Sequence, residues 1–421
     1  MQGEAMQLGG GEEACKDPGN PPATGHQVRD RAAPSHSSPP FPSTESSSSE
    51  EHEDEQHKPV ASLPEDAVVE ILSRVPYRSL RRFKCVSKPW LALCSDPKIR
   101  KRCPQTLSGF FHFSRDGLKF HNLPRGGPPI VDPSMSFLRE SYIHVQLVQC
   151  CSSLLLCQCL KSTPEGGYPY EFVVCNPATE KWAVIPPISL PGREERSLLD
   201  QINVFLGFDT AAPSRFVLFV PQRSVCETAE VAIYSSQTGR WTSVQNEWGD
   251  QTIPVGNREC AFVNGTMHMT TLYSWVATVD AEGKVCRKFK LPYVSSSDTF
   301  GVPGSTGHSQ GHFYAWQINN YSDCQLYVWV LEDYDSGKWT LKHTVNVLEL
   351  FGRHHRKNTE SYTMFAIHPE RNLIFLTDRK EMTVSYDMDS QKVHVICTSG
   401  EFLGGLPYTP CFADWPSDGH S

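Results

Sequence analysis

The 421-residue sequence contains no run of about eighteen apolar residues, the length that a membrane-spanning helix needs. Its N-terminus also lacks the basic segment followed by an apolar one that marks a secretory signal. We therefore expect a soluble protein of the cytoplasm or nucleus that makes no contact with a membrane. A Walker-type phosphate loop, a dinucleotide fingerprint and an HExxH zinc motif are missing as well, so nothing in the sequence indicates a cofactor.

Paired metal-binding cysteines are also missing, although the sequence contains fifteen cysteines. An odd number of cysteines in a long chain without a secretory signal favours reduced thiols over disulfides. The densest group, Cys150, Cys151, Cys157 and Cys159, is interrupted and flanked by apolar residues, which indicates a buried strand. No second pair of cysteines or histidines completes a zinc site, so we expect no bound metal.

The first 59 residues consist mainly of Gly, Pro, Ser and acidic residues, with Phe41 as their only aromatic residue. A segment of this composition cannot bury enough apolar surface to offset the entropy cost of ordering, so we expect residues 1–59 to be disordered. The run from Ser46 to Ser49 is followed directly by acidic residues and resembles the target of an acid-directed kinase. The alternative is a solvated tail without a regulatory role.

The stretch from Ala61 to Cys103 has a helical pattern of apolar residues. Ser62 and Glu65 fit a capping box, and Pro64 lies in the first turn, where a missing N–H costs little. The apolar residues recur at helical spacing in three groups: Val68, Ile71, Leu72 and Val75 before Pro76; Leu80, Phe83 and Val86; and Trp90, Leu91 and Leu93 between Ser87 and Asp96. We therefore expect three short helices.

Three helices of about ten residues each are too small to bury all these apolar side chains, since so short a unit lacks the volume for a core. Burying one large apolar side chain fully contributes about 1.5–3 kcal/mol. A second surface that covers these side chains should therefore bind well, and the helical module indicates a binding partner. The alternative interpretation is that the same residues form only the core of a small helical domain.

The segment LPEDAVVEILSRVPYRSLRRFKCVSKPW resembles the F-box, in which a Leu-Pro pair, an Ile-Leu pair, a Val-Pro pair, a Ser-Leu-x-Arg-Phe-Lys element and a Trp follow one another at these spacings. The resemblance covers about a tenth of the chain. It implies binding to a Skp-type adaptor and, through that adaptor, to the cullin of a ubiquitin ligase. Matched position by position, the residues that would face the adaptor or set the helices that do are Leu63, Pro64, Ile71, Leu72, Val75, Pro76, Leu80, Val86 and Trp90.

Ten basic residues and a single acid, Asp96, lie between Arg74 and Arg102 in a chain whose net charge is -8. A basic patch on an acidic protein suggests an acidic partner surface. A nucleic-acid-binding helix-turn-helix is the alternative, but a recognition helix presents polar side chains to the base edges. The third predicted helix carries Trp90 and Leu91 instead, so we expect no nucleic-acid partner.

Beyond Cys103 the pattern changes to short, aromatic-rich apolar segments separated by Gly, Asp, Asn and Ser turns, which is typical of an all-β region. A polar turn with a basic residue recurs at steps of 44 to 59 residues and ends at Trp182, Trp241, Val285, Trp339 and Val393, with a weaker copy at Phe120. Kelch-like propeller blades have a period of about 50 residues. Six units of four strands therefore predict a six-bladed β-propeller whose Trp residues pack between blades rather than contact a ligand.

This region also resembles the F-box-associated domains of plants, because NPATEKWAVIPP matches their Asn-Pro-x-Thr element and the LPYTP ending is similar. The resemblance implies plant origin and a substrate-binding role. A ring of blades needs a closing strand, and we expect segment 406–412 to pair with the first blade. Target contacts should lie in the long loops, which the sequence does not rank: 161–170, 186–200, 221–229, 246–258, 292–309 and 352–361.

One enzyme interpretation is open, because the run from Gly307 to Gly311 matches the G-x-S-x-G nucleophile elbow of serine hydrolases with Ser309 as the nucleophile. That elbow needs a strand before the serine and a helix after it. Here the sequence predicts a loop before and a strand after, which favours a glycine turn entering a blade. The basic stretch from Arg353 to Lys357 is interpreted as a solvated loop, with a nuclear-import or acidic-ligand patch as the alternative.

Together these patterns predict a mainly β protein with a small all-α module. Its parts are a disordered segment at 1–59, a three-helix F-box at 60–103 and a six-bladed β-propeller at 104–416. The predicted function is substrate recognition in an SCF-type (Skp–cullin–F-box) ubiquitin ligase, without catalysis, in which the F-box binds the adaptor and the propeller binds an unidentified target protein. Two alternatives remain: an F-box propeller scaffold that acts outside a ligase, and a serine hydrolase that uses Ser309.

Overall fold

The computed structural model describes residues 63–75, 77–103, 106–123, 129–162, 167–190, 194, 203–210, 213, 215–222, 229–246, 248, 254, 260–271, 273–292, 304–320, 323–355 and 360–412. The predicted disorder of 1–59 and the serine run within it lie outside these residues. Ser62, the predicted capping residue, and Pro76 lie outside them as well.

The helical module contains the three predicted helices and a fourth that the sequence did not predict. The four are α1 (Glu65–Ser73), α2 (Tyr77–Phe83), α3 (Lys88–Ser95) and α4 (Pro97–Arg102). Ser87 caps α3 as predicted, because its side chain accepts a hydrogen bond from the backbone N–H of Trp90 at 3.3 Å. Asp96 does the same for α4 by accepting from Lys98 N at 2.8 Å, so the Asp96-Pro97 pair ends one helix and begins the next.

Two local predictions about the module are wrong. The N-cap residue of α1 is Pro64, whose side chain makes no capping hydrogen bond. The second helix ends at Phe83, so Val86 lies in the following turn and not on the helix. Spacing alone continued the helical pattern one turn too far, because Lys84, Cys85 and Val86 leave the helix before Ser87 caps the next one.

Five side chains form the core of the module: Leu72, Leu80, Cys94, Ile99 and Cys103. Phe83 and Trp90 pack edge-to-face beside this core, with their ring centroids 5.6 Å apart. The Cys103 thiol donates to the carbonyl oxygen of Leu72 at 3.3 Å and so attaches the end of α4 to α1.

The rest of the described chain is built from β-strands, with one 3-10 helix (Ser136–Leu138) and one short helix, α5 (Val347–Leu350). The strands are β1 (Gly109–Ser114), β2 (Gly117–Asn122), β3 (His144–Cys151), β4 (Leu154–Leu160), β5 (Tyr170–Asn176), β6 (Lys181–Ile185), β7 (Phe205–Phe208), β8 (Phe216–Gln222), β9 (Ala229–Ser235), β10 (Arg240–Asn246), β11 (Cys260–Val263), β12 (Thr266–Thr270), β13 (Trp275–Asp280), β14 (Cys286–Lys290), β15 (Ser305–Ser309), β16 (His312–Ile318), β17 (Gln325–Asp333), β18 (Lys338–Asn346), β19 (Thr363–Ile367), β20 (Leu373–Thr377), β21 (Thr383–Asp387), β22 (Lys392–Cys397) and β23 (Leu406–Tyr408).

These strands form six antiparallel sheets, which are the blades of a six-bladed β-propeller. Five sheets have four strands in chain order: β3 to β6, β7 to β10, β11 to β14, β15 to β18 and β19 to β22. The first strands of the four-stranded sheets contact one another in turn, β3 with β7, β7 with β11, β11 with β15 and β15 with β19, and β3 also contacts β23. These six strands therefore surround the central axis. The predicted fold class, mainly β with a helical module and six blades, is confirmed.

The remaining blade joins the two ends of the propeller sequence. It has three strands in the order β2-β1-β23, and β1 pairs with β23 in the register Gly109↔Tyr408, Phe110↔Pro407 and Phe111↔Leu406. The prediction that segment 406–412 closes the ring is therefore confirmed. The chain then continues towards the neighbouring blade, where Thr409 N donates to the carbonyl oxygen of Ser152 at 3.0 Å.

The sequence repeat corresponds to the turn between the third and fourth strands of the four-stranded blades. Most of these turns begin with an Asx residue whose carboxylate or amide oxygen accepts a backbone N–H, as at Asn176, Asp280, Asp333 and Asp387. The residue before the basic one has a positive φ in each copy: Glu180, Gly239, Gly283, Gly337 and Gln391. The weaker copy ending at Phe120 is different, because its hairpin joins the two strands β1 and β2 of the three-stranded blade.

The repeated Trp residues pack between blades, as predicted. The indole N–H of Trp241 donates to the carbonyl oxygen of Pro186, which follows β6 in the preceding blade, at 3.1 Å. Trp339 donates in the same way to Lys290 of β14 at 3.0 Å. Each of these bonds satisfies the polar end of an aromatic ring while its body joins the core between two sheets.

Arg353 lies at the centre of an ion-pair network, so the solvated-loop interpretation is wrong for this residue. Its guanidinium lies 2.7 Å from Oδ2 of Asp378 and 3.5 Å from Oε1 of Glu360, and donates to the hydroxyl of Tyr362 at 2.9 Å. Both carboxylates are buried. Burial raises the pKa of Asp378, but backbone N–H groups and Arg353 outweigh it and lower that pKa overall. His354 and His355 are exposed, and residues 356–357 lie outside the described part.

Candidate functional site

The helical module exposes apolar side chains that its own core does not cover. Leu63 is 63% exposed, Ile71 51%, Val86 62% and Leu91 48%. Exposed single apolar residues are common on protein surfaces, but four in so short a segment exceed what scattering would give. The expectation of an under-buried module therefore agrees with the geometry, and these four side chains define what we term the apolar face of the module.

The predicted site residues divide between this face and the core of the module. Leu63, Pro64, Ile71 and Val86 are exposed, whereas Leu72 and Leu80 are fully buried. Val75 and Trp90 are half-buried, and Pro76 lies outside the described residues. The first group is free to touch a partner, and the second group holds the helices in place.

Sequence reasoning did not single out Leu91 as a contact residue. The core-facing side of α3 carries Trp90, Leu93 and Cys94, which follow the i, i+3, i+4 spacing. Leu91 therefore points away from the core. The same geometry applies in α1, where Val68 and Leu72 face inward and Ile71 faces outward. A helical wheel drawn around the buried positions would have identified both exposed residues.

The basic character of the module is partly neutralised by Glu70, which lies just outside the window counted in the sequence. Its carboxylate lies 2.8 Å from Arg74 and 2.5 Å from Arg102. Hydrogen bonding from Arg102, supported by Arg74, lowers the pKa of Glu70. These pairs are exposed and contribute little stability. Lys88 and Lys98 are also exposed, so part of the basic surface is still available to an acidic partner.

The propeller has two different faces, because antiparallel strands alternate in direction. One face carries the short turns between the first and second strands and between the third and fourth strands. The other, which we term the loop face, carries the second-to-third connections and the connections from each blade to the next. All six predicted target loops join strands at the loop face, although much of their length lies outside the described residues. The range 292–309 was too long, since Ser305–Ser309 is strand β15.

Several aromatic and aliphatic side chains are exposed at the loop face. Tyr168 lies between β4 and β5, and Tyr170 is the first residue of β5. Ile143 immediately precedes β3, and its N–H donates to the carbonyl oxygen of Leu160 at 2.9 Å. Tyr273 lies between β12 and β13. Tyrosine is enriched among the residues that contribute most to protein interfaces. Loop 161–170 is therefore the predicted loop with the strongest binding character among the parts that the structure describes.

Ser309 is not placed as a nucleophile. It is fully buried at the end of β15, and its hydroxyl donates to the carbonyl oxygen of His368 at 2.7 Å. Gln310 and Gly311 both have positive φ and form the tight hairpin turn to β16. The predicted glycine turn is confirmed, but the residues before it form a strand rather than the predicted loop. The hydroxyl proton is committed to a backbone carbonyl and not to a general base.

The cysteine-rich segment forms strands, as predicted. Cys150 and Cys151 end β3, and Cys157 and Cys159 lie on β4, with Cys157 and Cys159 fully buried. Burial raises the pKa of Cys151 to about 12. Within the residues that the structure describes, no group of three or more His, Cys, Asp or Glu residues is placed to hold a metal ion. Among the same residues, no helix has the length and apolar character needed to cross a membrane.

Two sequence families match the chain over its two structural parts. The F-box domain family matches residues 61–102, which contain the four helices. A second family, described as "F-box protein At3g26010-like, beta-propeller", matches residues 116–406, more than half of the chain.

Curated relatives have the same combination of parts. The F-box protein At5g07610 of Arabidopsis thaliana is 24% identical over 67% of this chain and 70% of its own length. The F-box/kelch-repeat protein At1g15680 of the same plant is 23% identical over 82% of this chain and 86% of its own length. The F-box protein At5g49610, also from Arabidopsis thaliana, is 24% identical over 68% of this chain and 80% of its own length. The chain therefore belongs to the plant family of F-box proteins with an At3g26010-like β-propeller.

Proposed function

We propose that this protein is the substrate-recognition subunit of an SCF-type ubiquitin ligase. In this role the F-box binds a Skp-type adaptor, the adaptor binds a cullin, and the propeller holds a target protein in the cytoplasm or nucleus. Ubiquitin transfer is carried out by other subunits, so the protein contributes raised effective concentration rather than a catalytic group. The observation that supports this proposal most directly is the apolar face of the F-box, on a chain that also carries a propeller with an exposed loop face.

The apolar face is suited to an adaptor because its side chains gain from being covered. Complete burial of a Leu, Ile or Val side chain contributes about 1.5–3 kcal/mol, and each of these side chains is now about half exposed. The exposed Lys88 and Lys98 would add attraction to an acidic adaptor surface and would speed its association.

The target is expected at the loop face, where Tyr168 and Tyr170 are exposed. These two residues lie on the same blade as Ile143, whose N–H bonds to Leu160, the cross-strand partner of Tyr170. The three residues therefore lie at the loop-face ends of neighbouring strands of one blade. Rigid amphipathic tyrosines beside an aliphatic residue are the composition of a binding hot spot.

Adaptor binding is tested with purified full-length protein and a Skp-type adaptor by isothermal titration calorimetry. We expect the double variant Ile71→Ala and Leu91→Ala to weaken adaptor binding by about tenfold or more, since it removes two half-exposed apolar anchors. A matched control is the pair Leu341→Ala and Val395→Ala, which removes similarly exposed apolar groups from β18 and β22. Unchanged adaptor affinity in the F-box variant, or an equal loss in the control, would contradict the proposal.

Ligase action is tested by affinity purification from plant cells with the proteasome inhibited, followed by mass spectrometry. A ligase subunit should recover adaptor, cullin and target proteins that accumulate only under inhibition. The variant Tyr168→Ala with Tyr170→Ala should lose targets and keep the adaptor. Recovery of the adaptor and binding partners without any change in partner turnover would favour the scaffold that acts outside a ligase.

A further inference from the structure

The centre of the propeller contains a cavity of about 560 Å³. Its walls come from the inner strands β11, β15 and β19, the end of β3, and the segment that leads into β23. Ligand pockets in proteins range from about 300 to 1,000 Å³, so the cavity has the size of a small-molecule site. Nothing in the adaptor or target roles proposed above uses it.

About half of the cavity wall is apolar, and this half includes aromatic side chains. Phe262, Phe365, Ile367 and Leu406 line it together with Trp316. The indole N–H of Trp316 already donates to the carbonyl oxygen of Met364 at 2.8 Å, so the ring offers only its apolar surface to the cavity. This apolar half of the wall is suited to the apolar body of a ligand.

The charged lining is of one sign. No Asp or Glu is found among the described residues that line the cavity, whereas Arg379 lines it and is exposed. Within the described part of the chain, the guanidinium of Arg379 has no hydrogen-bond or ion-pair partner. A cation of this kind is suited to a carboxylate, which it can bind with two parallel hydrogen bonds.

The loop that carries Arg379 is held rigidly. Arg379 has a left-handed φ of 58°, an uncommon conformation for a side chain of this size, and its N–H donates to Oγ1 of Thr377 at 3.0 Å. The next three N–H groups bond to Oδ1 of the buried Asp378, which also pairs with Arg353. Strained backbone that its surroundings hold in place is concentrated at functional sites, because it presents a side chain at low entropy cost.

His308 supplies a further polar group to the cavity wall. Its ring makes no hydrogen bond to any residue that the structure describes. Burial lowers the pKa of His308, and the nearby Asp209 offsets this only in part. The imidazole is therefore neutral at pH 7 and can donate from one nitrogen and accept at the other.

We propose that this central cavity binds a small organic carboxylate with an apolar body, whose acid group pairs with Arg379 and whose body lies against Trp316. The geometry behind this site is independent of the F-box, so the site exists whether or not the protein is a ligase subunit. Binding within the central cavity would make the propeller a sensor of a small molecule as well as a holder of a protein.

The test is isothermal titration of the full-length protein with 2-naphthoate and decanoate, and with the neutral 2-naphthamide as the matched probe. We expect saturable binding of at least one acid and binding of 2-naphthamide weaker than that of 2-naphthoate by about tenfold, because the amide lacks the charge that Arg379 binds. The variant Arg379→Gln should lower the affinity for the acid to that for the amide. The control Lys380→Gln removes the same charge one residue away, outside the cavity lining, and should change neither affinity.

A second variant keeps the test valid if Arg379→Gln disturbs the loop. Ser305→Phe places a large side chain on β15 at the cavity wall and should abolish binding of acid and amide alike, with adaptor affinity as the check that the chain is folded. The proposal is overturned if no acid binds, if acid and amide bind equally, or if Arg379→Gln and Lys380→Gln weaken binding to the same extent. Each of these results would leave the cavity as a solvent-filled channel.

Discussion

The side-chain amide of Asn176 donates from Nδ2 to the backbone carbonyl oxygen of Cys411 at 2.8 Å and so joins positions 235 residues apart. The same side chain accepts the N–H of Ala178 through Oδ1 at 3.0 Å. One buried amide therefore caps the turn between β5 and β6 and also holds the segment that follows β23. Among the described turns of the repeat, no other Asx side chain both caps its own turn and donates to a distant backbone carbonyl.

This relationship predicts an unequal cost for equivalent turn substitutions. Asn176→Ala should lower the free energy of unfolding by about 2–3 kcal/mol, because it removes two hydrogen bonds made by a buried side chain, one of which joins distant parts of the chain. Asp333→Ala at the equivalent exposed turn should cost less than about 1 kcal/mol, since only the local cap is lost. Urea unfolding followed by tryptophan fluorescence measures both. Equal losses would show that Asn176 contributes nothing to ring closure.

The Arg353 network predicts a large effect from a single positive charge. Arg353→Met should destabilise the protein by about 3–5 kcal/mol, because the buried carboxylates of Asp378 and Glu360 lose their cation. Arg371→Met, which removes an exposed guanidinium nearby in sequence, is the control and should change stability by less than about 0.5 kcal/mol. Thermal unfolding monitored by circular dichroism distinguishes the two variants. A small effect of Arg353→Met would mean that the ion-pair network stabilises the folded protein no more than the same charges do in water.

Three buried histidines predict a loss of stability in mild acid. Burial lowers the pKa of His112, His268 and His368 to about 4 in each case. In the unfolded chain a histidine titrates near about 6.5. Below that pH the unfolded state binds protons that the folded state does not, so stability present above pH 6.5 is lost as the pH falls towards 4.

His268 allows this to be measured at one site. The variant His268→Asn keeps an amide donor where Nδ1 contacts the carbonyl oxygens of Ala261 and Thr266. The slope of the unfolding free energy between pH 5 and 6 should fall by about 1.4 kcal/mol per pH unit, the contribution of one proton. A slope equal to that of the unsubstituted protein would assign the pH dependence to other groups.

The parts of the fold that local chemistry decides were predictable from the sequence. The turn repeat predicted the blades because an Asx cap, a residue with positive φ and a following Trp or Val act within one hairpin. The α4 helix was missed because Ile99 is its one apolar residue with a place in the core, too little for a periodic pattern. The role of Arg353 was also beyond local reasoning, since its partner Asp378 lies 25 residues away on another strand end.

The candidate surfaces were only partly predictable for the same reason. Leu63 and Ile71 could be assigned to a partner by resemblance, but their exposure depends on which neighbours fill the module core. The central cavity was not predicted, because its wall combines residues from five blades that no sequence window contains together. Arg379 gave no signal of its own, since a single Arg after an Asp is common in loops.

The pairing of β1 with β23 has a consequence for synthesis on the ribosome. β1 is made before the other strands of the propeller, but it gains its inner neighbour only when Leu406–Tyr408, which is made after all of them, has emerged. Until then Phe110 and Phe111 lack the strand that covers one side of their blade. A nascent or truncated chain would thus present the F-box while its ring is open, and under the proposed function such chains would occupy adaptor without a formed target site.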